Sequence, residues 1–253
     1  MKEEFIKLYN EFTKIKRKRW IKSLRKGTAG IGYTFETLLN KPEDNFSIPD
    51  YCGIEIKTMK YLSLRKVHLF CATPDGDILF PIKRVVKAIG YPDKDFPEYK
   101  ILNIELKTTE YTKFGYKMAK IKINWEKEKI DLLAYNTYGK NYNLETSWSF
   151  EMLEKIFCRK LNYLAIIKAC SKAINQEEYF FYNNINFYKR KNFLTFIKLI
   201  EEGIITLSFH VGIFKEGEKI GKLHDRGTGF SIMEKDLSKL FYEIDISKII
   251  NIS

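Results

Sequence analysis

Three charged residues in the segment PDYCGIEIKT have the types and the spacing that phosphodiester hydrolysis requires. They are Asp50, Glu55 and Lys57. This reaction is among the slowest in biology without a catalyst, so an enzyme must neutralise charge on the phosphate and supply hydroxide near neutral pH. A hard cation held by carboxylates does both. Because Mg²⁺ prefers oxygen ligands and keeps several waters, Asp50, Glu55 and an adjacent backbone carbonyl predict an open magnesium site.

The residues around Glu55 predict the strand that positions it. Ile54 and Ile56 alternate with Glu55 and Lys57, which is the period-two pattern of a half-buried strand. Side chains alternate faces along a strand, so Glu55 and Lys57 project to the same side. There the Lys57 ammonium could orient the attacking water and stabilise developing charge, or the neutral amine could accept the proton of the water. The sequence leaves both roles open.

Glu36 is a fourth candidate, because a helix predicted over residues 33–39 carries it one loop upstream of Asp50. The segment GTAGIG precedes a short stretch with helical apolar spacing, so a glycine-rich loop is expected to lead into this helix. A carboxylate there could bind a metal-bound water or a second ion.

The spacing of these residues is not specific by itself. The pattern D-x4-E-x-K should occur by chance in about one chain of this length in twenty, and it occurs a second time at Asp93, Glu98 and Lys100. Pro97 lacks the donor that an internal strand needs, whereas Glu55 lies in an alternating, β-branched stretch. The first match is therefore favoured, and an ordinary surface strand with a neighbouring Glu and Lys is the alternative explanation for it.

Charge and composition narrow the class of partner. Lys plus Arg minus Asp plus Glu gives 44 − 32 = +12, which favours nucleic acid, with an anionic membrane surface as the second possibility. No apolar run reaches the roughly 20 residues needed to span a bilayer, and the first residues form a charged amphipathic stretch. The four cysteines show neither paired C-x-x-C nor zinc-ligand spacing. We expect a cytoplasmic prokaryotic protein with reduced thiols.

Apolar periodicity predicts an α/β (α+β) protein whose middle is rich in sheet. His68 falls within an apolar strand and is expected to be structural. The only weak signal for a boundary is the loop TYGKNYNLETS, which suggests divisions 1–150 and 151–253. The predicted helices are 4–24, which has one basic side, 33–39, 82–89, 149–157 and 193–202. The predicted strands are 53–58, 67–72, 101–107, 116–125, 130–135, 163–169, 179–187, 204–214 and 229–233.

The segment TAGIGYTFETLLNKPEDNFSIPDYCGIEIKT resembles the MvaI/BcnI family of type II restriction endonucleases, distant relatives of the MutH mismatch-repair nickase. The similarity includes a G-x-G-x-x-x-E-x-L-L framework from Gly30 to Leu39. It continues with Asp44-Asn45, Pro49-Asp50 and Ile54-Glu55-Ile56-Lys57-Thr58, and later with Trp148-Ser149-Phe150, Tyr163-Leu164-Ala165 and residues 221–230. Residues 60–115 match poorly.

This resemblance implies a PD-(D/E)xK core, with a restriction-endonuclease-like mixed sheet flanked by helices and a DNA cleft between two lobes. Residues 1–150 would form the catalytic lobe and residues 151–253 the DNA-recognition lobe. The family implies a monomer that cuts double-stranded DNA with Mg²⁺ at a short, GC-rich site, alongside a cognate DNA methyltransferase. It assigns Asp50 and Glu55 to the metal, Lys57 to catalysis, and Glu36 to the additional acidic position.

The late segment GKLHDRGTGF resembles the part of the family that reads bases. Arg226 can pair bidentately with guanine, and Asp225 can accept a hydrogen bond from cytosine. Further contacts are expected from His210, Lys219, Lys222 and His224. In the alternative interpretation, His224 and Asp225 cap a turn and the lysines bind phosphate without reading sequence. The chain departs from the family pattern at positions 210, 226 and 231, so the resemblance does not fix the recognised sequence.

Three other functions are compatible with parts of the sequence. A MutH-like enzyme that nicks one strand during mismatch repair would use the same residues. A DNA-binding module that has lost cutting is a second alternative, but all four catalytic positions are present. A basic membrane-surface protein would explain the N-terminal amphipathic stretch and not the carboxylates.

Overall fold

The computed structural model describes residues 2–39, 49–61, 66–76 and 80–250. Asp44 and Asn45, which belong to the family resemblance, lie outside these residues. The helices are α1 Lys2–Arg17, α2 Gly30–Leu38, α3 Phe80–Ile89, α4 Phe150–Lys160, α5 Phe193–Glu201, α6 Leu237–Leu240 and α7 Ile246–Ile250. The strands are β1 Ile21–Lys22, β2 Ile54–Lys60, β3 Lys66–Cys71, β4 Tyr91–Pro92, β5 Lys100–Leu106, β6 Thr112–Phe114, β7 Lys117–Asn124, β8 Lys129–Asn136, β9 Ser147–Ser149, β10 Tyr163–Ile174, β11 Glu177–Arg190, β12 Ile205–Ile213, β13 Leu223–Asp225, β14 Gly229–Met233 and β15 Phe241–Ile244. The predicted α+β class is confirmed.

Each of two compact units is built from separate stretches of the chain. The first unit comprises Met1–Arg65, Cys158–Lys191 and Leu237–Ser253, and the second comprises Lys66–Phe157 and Asn192–Asp236. This division differs from the predicted single boundary at residue 150. The difference arises because β2 pairs in parallel with β10, and parallel strands need a crossover connection. Most of the second unit lies within that connection, and local sequence patterns carry no sign of such pairing.

The sheet of the first unit has the strand order β1-β11-β10-β2, with β15 also paired to β11. β10 and β11 form a long antiparallel pair with an irregularity between Lys168 and Ala169. β2 lies at the end of this order, and its parallel register with β10 places Leu164 opposite Glu55 and Ile166 opposite Lys57. The strand predicted to carry the site is therefore fixed along one side by a buried neighbour.

Two helices cover the apolar face of this sheet. α1 buries residues at helical spacing, and its acidic first turn and basic last turn both suit the helix dipole. In α2, the backbone oxygen of Ile31 accepts a hydrogen bond of 2.8 Å from the Tyr182 hydroxyl. The core that results includes Phe5, Leu8, Phe12, Ile15, Ile31, Phe35, Ile54, Ile56, Ala165, Ile167, Phe180, Tyr182 and Phe187. Ile54 and Ile56 of β2 thus pack into this core.

The first helix ends earlier than its sequence pattern predicts. The prediction ran through residue 24, whereas α1 ends at Arg17. Arg19 has φ +59°, a left-handed conformation that stops a helix. Ile21 and Lys22 then pair with Phe180 and Tyr179 of β11. The predicted basic helix surface is therefore divided between the last turn of α1 and the segment that follows it.

The second unit contains two sheets. One has the order β3-β14-β12-β5-β4 with β13 paired to β12, and the other has the order β6-β7-β8-β9. β12 is buried along almost its whole length, and a cluster of aromatic rings packs in this unit, among them Phe70, Phe157, Phe196 and Phe230. Within the described parts of the chain, no helix combines the length and the apolar character that crossing a membrane requires.

Candidate active site

A tight turn explains why four residues separate Asp50 from Glu55. Tyr51 and Ile54 exchange both backbone hydrogen bonds, at 2.9 and 2.8 Å, and the two residues between them have positive φ, +47° at Cys52 and +83° at Gly53. These are the features of a two-residue type I′ turn. The turn reverses the chain, so Asp50 lies beside β2, where its Oδ2 accepts a hydrogen bond of 2.9 Å from the backbone N–H of Ile56.

Glu55 is more deeply buried than the predicted half-buried strand implies. The residue is only 1% exposed, so β2 is covered on both faces at this point. Its Oε1 accepts from the Lys57 ammonium at 2.6 Å, and the Lys160 ammonium lies 3.9 Å from the same oxygen. Glu55 and Lys57 therefore project to the same side, as the alternation predicted. The other oxygen, Oε2, is buried and has no hydrogen-bond partner.

The environment of Glu55 raises the pKa of its carboxyl group. Burial is the largest cause, and the nearby negative charge of Asp50 acts in the same direction. The positive charges of Lys57 and Lys160 oppose this effect without cancelling it. A buried carboxylate with an unsatisfied oxygen is costly to keep ionised, so a cation at Oε2 would stabilise the charged form.

The donor set fits a hard cation. Asp50 and Glu55 both offer carboxylate oxygens, the charge of Asp50 is near enough to raise the pKa of Glu55, and the buried, unpartnered Oε2 of Glu55 is an oxygen that a cation can satisfy. Two carboxylates are fewer than an all-protein cage provides, and among the described residues no group of three or more His, Cys, Asp or Glu side chains is arranged to hold a metal. A Mg²⁺ ion that retains several waters needs no more than one or two carboxylates.

Glu36 lies beside β2 at a different position. It is partly buried on α2, and a Cβ added at Gly32 would meet its Oε1 at 3.7 Å and the Thr58 hydroxyl at 3.3 Å. Thr58 follows Lys57, so by strand alternation it belongs to the face that carries Ile54 and Ile56. Gly32 leaves room for this approach of α2 to β2. The assignment of Glu36 as an outer carboxylate of the site stays a prediction.

The second D-x4-E-x-K match forms a turn instead of a site. Asp93 Oδ1 accepts from the backbone N–H groups of Asp95 and Phe96, at 2.9 and 3.2 Å, and pairs with Lys215 at 3.1 Å. Glu98 is exposed, and the Lys100 ammonium donates to the backbone oxygen of Lys87 at 2.9 Å. The preference for the first match is supported by this geometry.

The residues predicted to read bases lie together in the second unit, around β12 and β13. His210 is exposed on β12, and its backbone oxygen accepts from the N–H of Arg226 at 2.9 Å. The Arg226 guanidinium lies against Gly212, where an added Cβ would meet it at 3.0 Å. Absence of a side chain at residue 212 therefore makes room for this group, which is exposed at the surface.

The neighbouring candidates already have structural tasks. Asp225 Oδ1 accepts from the N–H groups of Gly227 and Thr228 and from the Thr228 hydroxyl, at 2.8 to 3.0 Å. His224 stacks on Phe214 with ring centroids 4.3 Å apart. This agrees with the alternative interpretation, in which they stabilise a turn. Lys219 and Lys222 are exposed. His68 contacts Ser231 and Cys71, outside the segment predicted to read bases.

Sequence reasoning missed Lys160. It is the last residue of α4, and the chain enters β10 three residues later. Because Tyr163 pairs with Ile54 at the start of β2, residues just before β10 come close to Glu55. No local motif marks Lys160, and only knowledge of the parallel β2–β10 pairing could have found it.

A mixed sheet whose end strand carries Glu55 and Lys57, with Asp50 brought beside it by a tight turn, is the arrangement expected of a nuclease of the restriction-endonuclease class. The chain belongs to the MvaI/BcnI restriction endonuclease family, whose model matches residues 9–241. It is thus a type II site-specific deoxyribonuclease by family, as the sequence predicted. No curated protein matches the chain.

Two solved structures are similar over nearly the whole chain. One is restriction endonuclease MvaI in complex with its cognate DNA substrate, with 30% identity, a TM-score of 0.89, and coverage of 97% of this chain and 99% of that one. The other is MvaI in the absence of DNA, with 29% identity, a TM-score of 0.61, and coverage of 96% and 98%.

Proposed function

We propose that this protein hydrolyses phosphodiester bonds of double-stranded DNA at a short, GC-rich site, with Mg²⁺ held by Asp50 and Glu55. The observation that carries the proposal is the environment of Glu55. One of its oxygens is paired with Lys57 at 2.6 Å, and the other is buried without a partner. An unpartnered buried carboxylate oxygen costs stability, and a bound cation would offset that cost.

Each residue of the site has a definable task. Asp50 and Glu55 hold the ion, and the backbone N–H of Ile56 fixes the Asp50 carboxylate. When bound, Mg²⁺ supplies the charge that offsets the phosphate and eases formation of hydroxide near neutral pH. The Lys57 ammonium donates to Glu55 Oε1 at 2.6 Å, beside the carboxylates proposed to hold the ion, and we assign Lys57 to orienting the attacking water and stabilising developing charge. Glu36 is assigned as an outer carboxylate.

DNA recognition is assigned to the second unit. The similar structure of MvaI holds its cognate DNA, and the net charge of +12 suits a polyanion. Arg226 is the residue placed best for base reading, because its guanidinium is exposed and lies flat against Gly212, which suits bidentate pairing with guanine. We assign His210, Lys219 and Lys222 to further DNA contacts, and to His224 and Asp225 the support of this segment.

The remaining assignments follow from the family. The first unit is the catalytic part, the protein acts as a monomer, and a cognate DNA methyltransferase protects the host sites of a prokaryotic cytoplasm. Together, these proposals describe the nuclease of a restriction-modification system.

Cleavage of unmethylated, phage-sized DNA tests the proposed function. Wild-type protein, Lys57→Ala and Lys60→Ala are incubated with the DNA and Mg²⁺, and fragment ends are sequenced. Lys60 is the matched control, because it lies on the same strand as Lys57 but pairs with Glu178 and not with Asp50 or Glu55. We expect discrete fragments with the wild type and Lys60→Ala and none with Lys57→Ala. Nicks alone would favour the mismatch-repair type of enzyme, and intact but bound DNA would favour a non-catalytic binding module.

A further inference from the structure

A histidine, a cysteine and a serine of the second unit form a hydrogen-bonded cluster that the nuclease reaction does not use. His68 lies on β3, with its Nε2 3.3 Å from the Cys71 Sγ and its Nδ1 3.3 Å from the Ser231 Oγ. The register of β14 against β3 sets the second contact, because Ser231 lies opposite His68. The imidazole ring is thus held between a thiol and a hydroxyl.

This order of groups is the one that activates a nucleophile. A base within hydrogen-bond reach of a thiol can take its proton, and a third group that holds the base fixes its orientation. If Nδ1–H donates to the Ser231 hydroxyl, Nε2 is the acceptor for the Cys71 S–H. Cysteines beside a histidine that can become positively charged react as thiolates. Cys71 is also exposed, so a small reagent can reach its sulfur.

We propose that Cys71 is a reactive thiol, activated by His68, and that it takes small disulfides by thiol–disulfide exchange. The Cys71 sulfur attacks one sulfur of the disulfide RSSR, the Cys71–S–SR bond forms, and the original S–S bond breaks. The proton of Cys71 passes to His68 Nε2 and from there to the leaving thiolate, which departs as RSH. The disulfide itself is the oxidant, so no other reagent is needed.

The position of Cys71 gives this modification a consequence. A Cβ added at Gly227 would lie 3.1 Å from the Cys71 Sγ, so the sulfur packs against the loop that follows Arg226. The next residue in that loop, Thr228, accepts from the backbone N–H of Ala72 at 2.9 Å. A group added to the sulfur competes for space with this loop. We therefore expect the modified protein to bind DNA more weakly. This expectation rests on the proposed function, because that function assigns base reading to Arg226.

Cys52 is the natural comparison for reactivity. It is the other exposed cysteine, and it lies in the turn before β2 in the first unit. Exposure alone would make the two thiols react alike, whereas activation by His68 predicts that Cys71 reacts about tenfold faster near pH 7.

The first test measures reactivity with an aromatic disulfide, 5,5′-dithiobis(2-nitrobenzoate), by release of its coloured thiolate, a leaving group that stays ionised near pH 7. We expect one fast phase in the wild type. That phase should vanish in Cys71→Ser, persist in Cys52→Asn, and slow about tenfold in His68→Gln. Ser231→Ala, which leaves both reacting groups in place, should slow it less. A fast phase that survives in Cys71→Ser overturns the proposal, as does a His68→Gln protein with an unchanged rate and an unchanged thermal transition.

The second test measures DNA binding before and after reaction with the same disulfide. The modified wild type should bind about fivefold or more weakly, a reducing thiol should restore binding, and treated Cys71→Ser should bind as well as the untreated variant. Unweakened binding by fully modified protein overturns the link to the recognition loop. If untreated wild type binds no DNA, the proposed function fails, whereas the rate comparison among the thiols is unaffected and still decides whether Cys71 is activated.

Discussion

The same D-x4-E-x-K spacing occurs twice in this chain and produces two different structures. In the first segment, the spacer is a two-residue turn, so Asp50 folds back beside β2 and Glu55 lies within that strand. In the second segment, Asp93 begins a longer loop between β4 and β5, and Glu98 is exposed within that loop. The spacing of residues is identical, and the position of the turn decides whether the aspartate folds back beside the strand that carries the glutamate.

The environments of the acidic residues differ as much as the turns. Burial raises the pKa of Glu55, whereas the backbone N–H of Asp95, the largest of several causes, lowers the pKa of Asp93. Hydrogen bonds to Asp93 are therefore already optimal for a charged carboxylate, and it stabilises its own loop. For the buried carboxyl group of Glu55, by contrast, a bound cation would stabilise the charged form. The two carboxyl groups thus have pKa values shifted in opposite directions, and the raised pKa belongs to the one that we propose as a metal ligand.

The largest effect should come from neutralising the glutamate of each match. Glu55→Gln keeps the shape of the side chain but removes the charge that we propose holds a cation, so we expect cleavage to fall about a thousandfold. Glu98→Gln, which changes an exposed loop residue, should stay within about twofold of the wild type. Initial rates on supercoiled plasmid with Mg²⁺ measure both. Equal losses in the two variants would show that the second segment also belongs to the site.

The two acidic residues should also affect stability in opposite directions. The raised pKa of Glu55 means that its contribution to stability is present below the ordinary value of 4.5 and is lost as pH rises through the folded-state pKa. Without divalent ions, Glu55→Gln should therefore raise the melting temperature, increasingly so above pH 4.5. Adding Mg²⁺ should narrow the difference in melting temperature between Glu55→Gln and the wild type, because we expect the ion to stabilise only the wild type.

Asp93 has a lowered pKa, so its contribution to stability depends on pH in the opposite direction to that of Glu55. Its contribution is present above the ordinary value of 3.8 and is lost as pH falls through the folded-state pKa. Asp93→Asn should therefore lower the melting temperature at neutral pH, and the loss should shrink below pH 3.8. Thermal scans of both variants across pH check the signs. A lower melting temperature for Glu55→Gln at neutral pH would contradict the account of Glu55.

Much of the site could be predicted from the sequence, because its main signals are local. Alternation with Ile54 and Ile56 placed Glu55 and Lys57 on one side of a strand, and the D-x4-E-x-K spacing added Asp50, in agreement with the family resemblance. The proximity of Lys160 could not be predicted, since it follows from the pairing of β2 with β10. The burial of Glu55 could not be predicted either, because it depends on what packs over the face of β2. The two discontinuous units have the same origin. The end of α1 was missed for a local reason, the left-handed conformation of Arg19, which is unusual for arginine.

A smaller effect is expected from Lys160, which approaches the glutamate of the first segment, whereas Lys215 pairs with the aspartate of the second. Its ammonium lies 3.9 Å from Glu55 Oε1, so Lys160→Ala should lower cleavage about tenfold by weakening the positioning of that carboxylate. Lys155→Ala is the control, because Lys155 lies on the same helix and pairs only at the surface with Glu151.

The Mg²⁺ dependence distinguishes positioning from loss of folded protein. Removing a positive charge near the carboxylates reduces repulsion of the ion, so half-saturation of Lys160→Ala should need no more Mg²⁺ than the wild type. A rate restored to the wild-type value by excess Mg²⁺ would instead assign Lys160 to metal affinity alone.

The smallest effect should come from the turn that distinguishes the two segments. Gly53 has φ +83°, and an added Cβ there meets nothing within 4 Å, so Gly53→Ala is strained only by its backbone and should cost about 1 kcal/mol. Gly139 is a close match, with φ +84° and equally open surroundings, in a loop of the second unit. Gly139→Ala should therefore cost about the same in urea denaturation.

Cleavage rates then separate the two glycines. Gly53→Ala should also lower cleavage several-fold, because the backbone shifts to relieve the strain of an alanine at this position and so displaces Asp50 from the backbone N–H of Ile56. Gly139→Ala should cut at the wild-type rate. Cys52→Asn supplies the opposite change, since Asn-Gly is the favoured pair for a type I′ turn, and should raise the unfolding free energy by a few tenths of a kcal/mol. If Gly53→Ala lost stability but cut as fast as Gly139→Ala, the turn would not be what brings Asp50 to Glu55, and the two D-x4-E-x-K segments would have to differ in function for another reason.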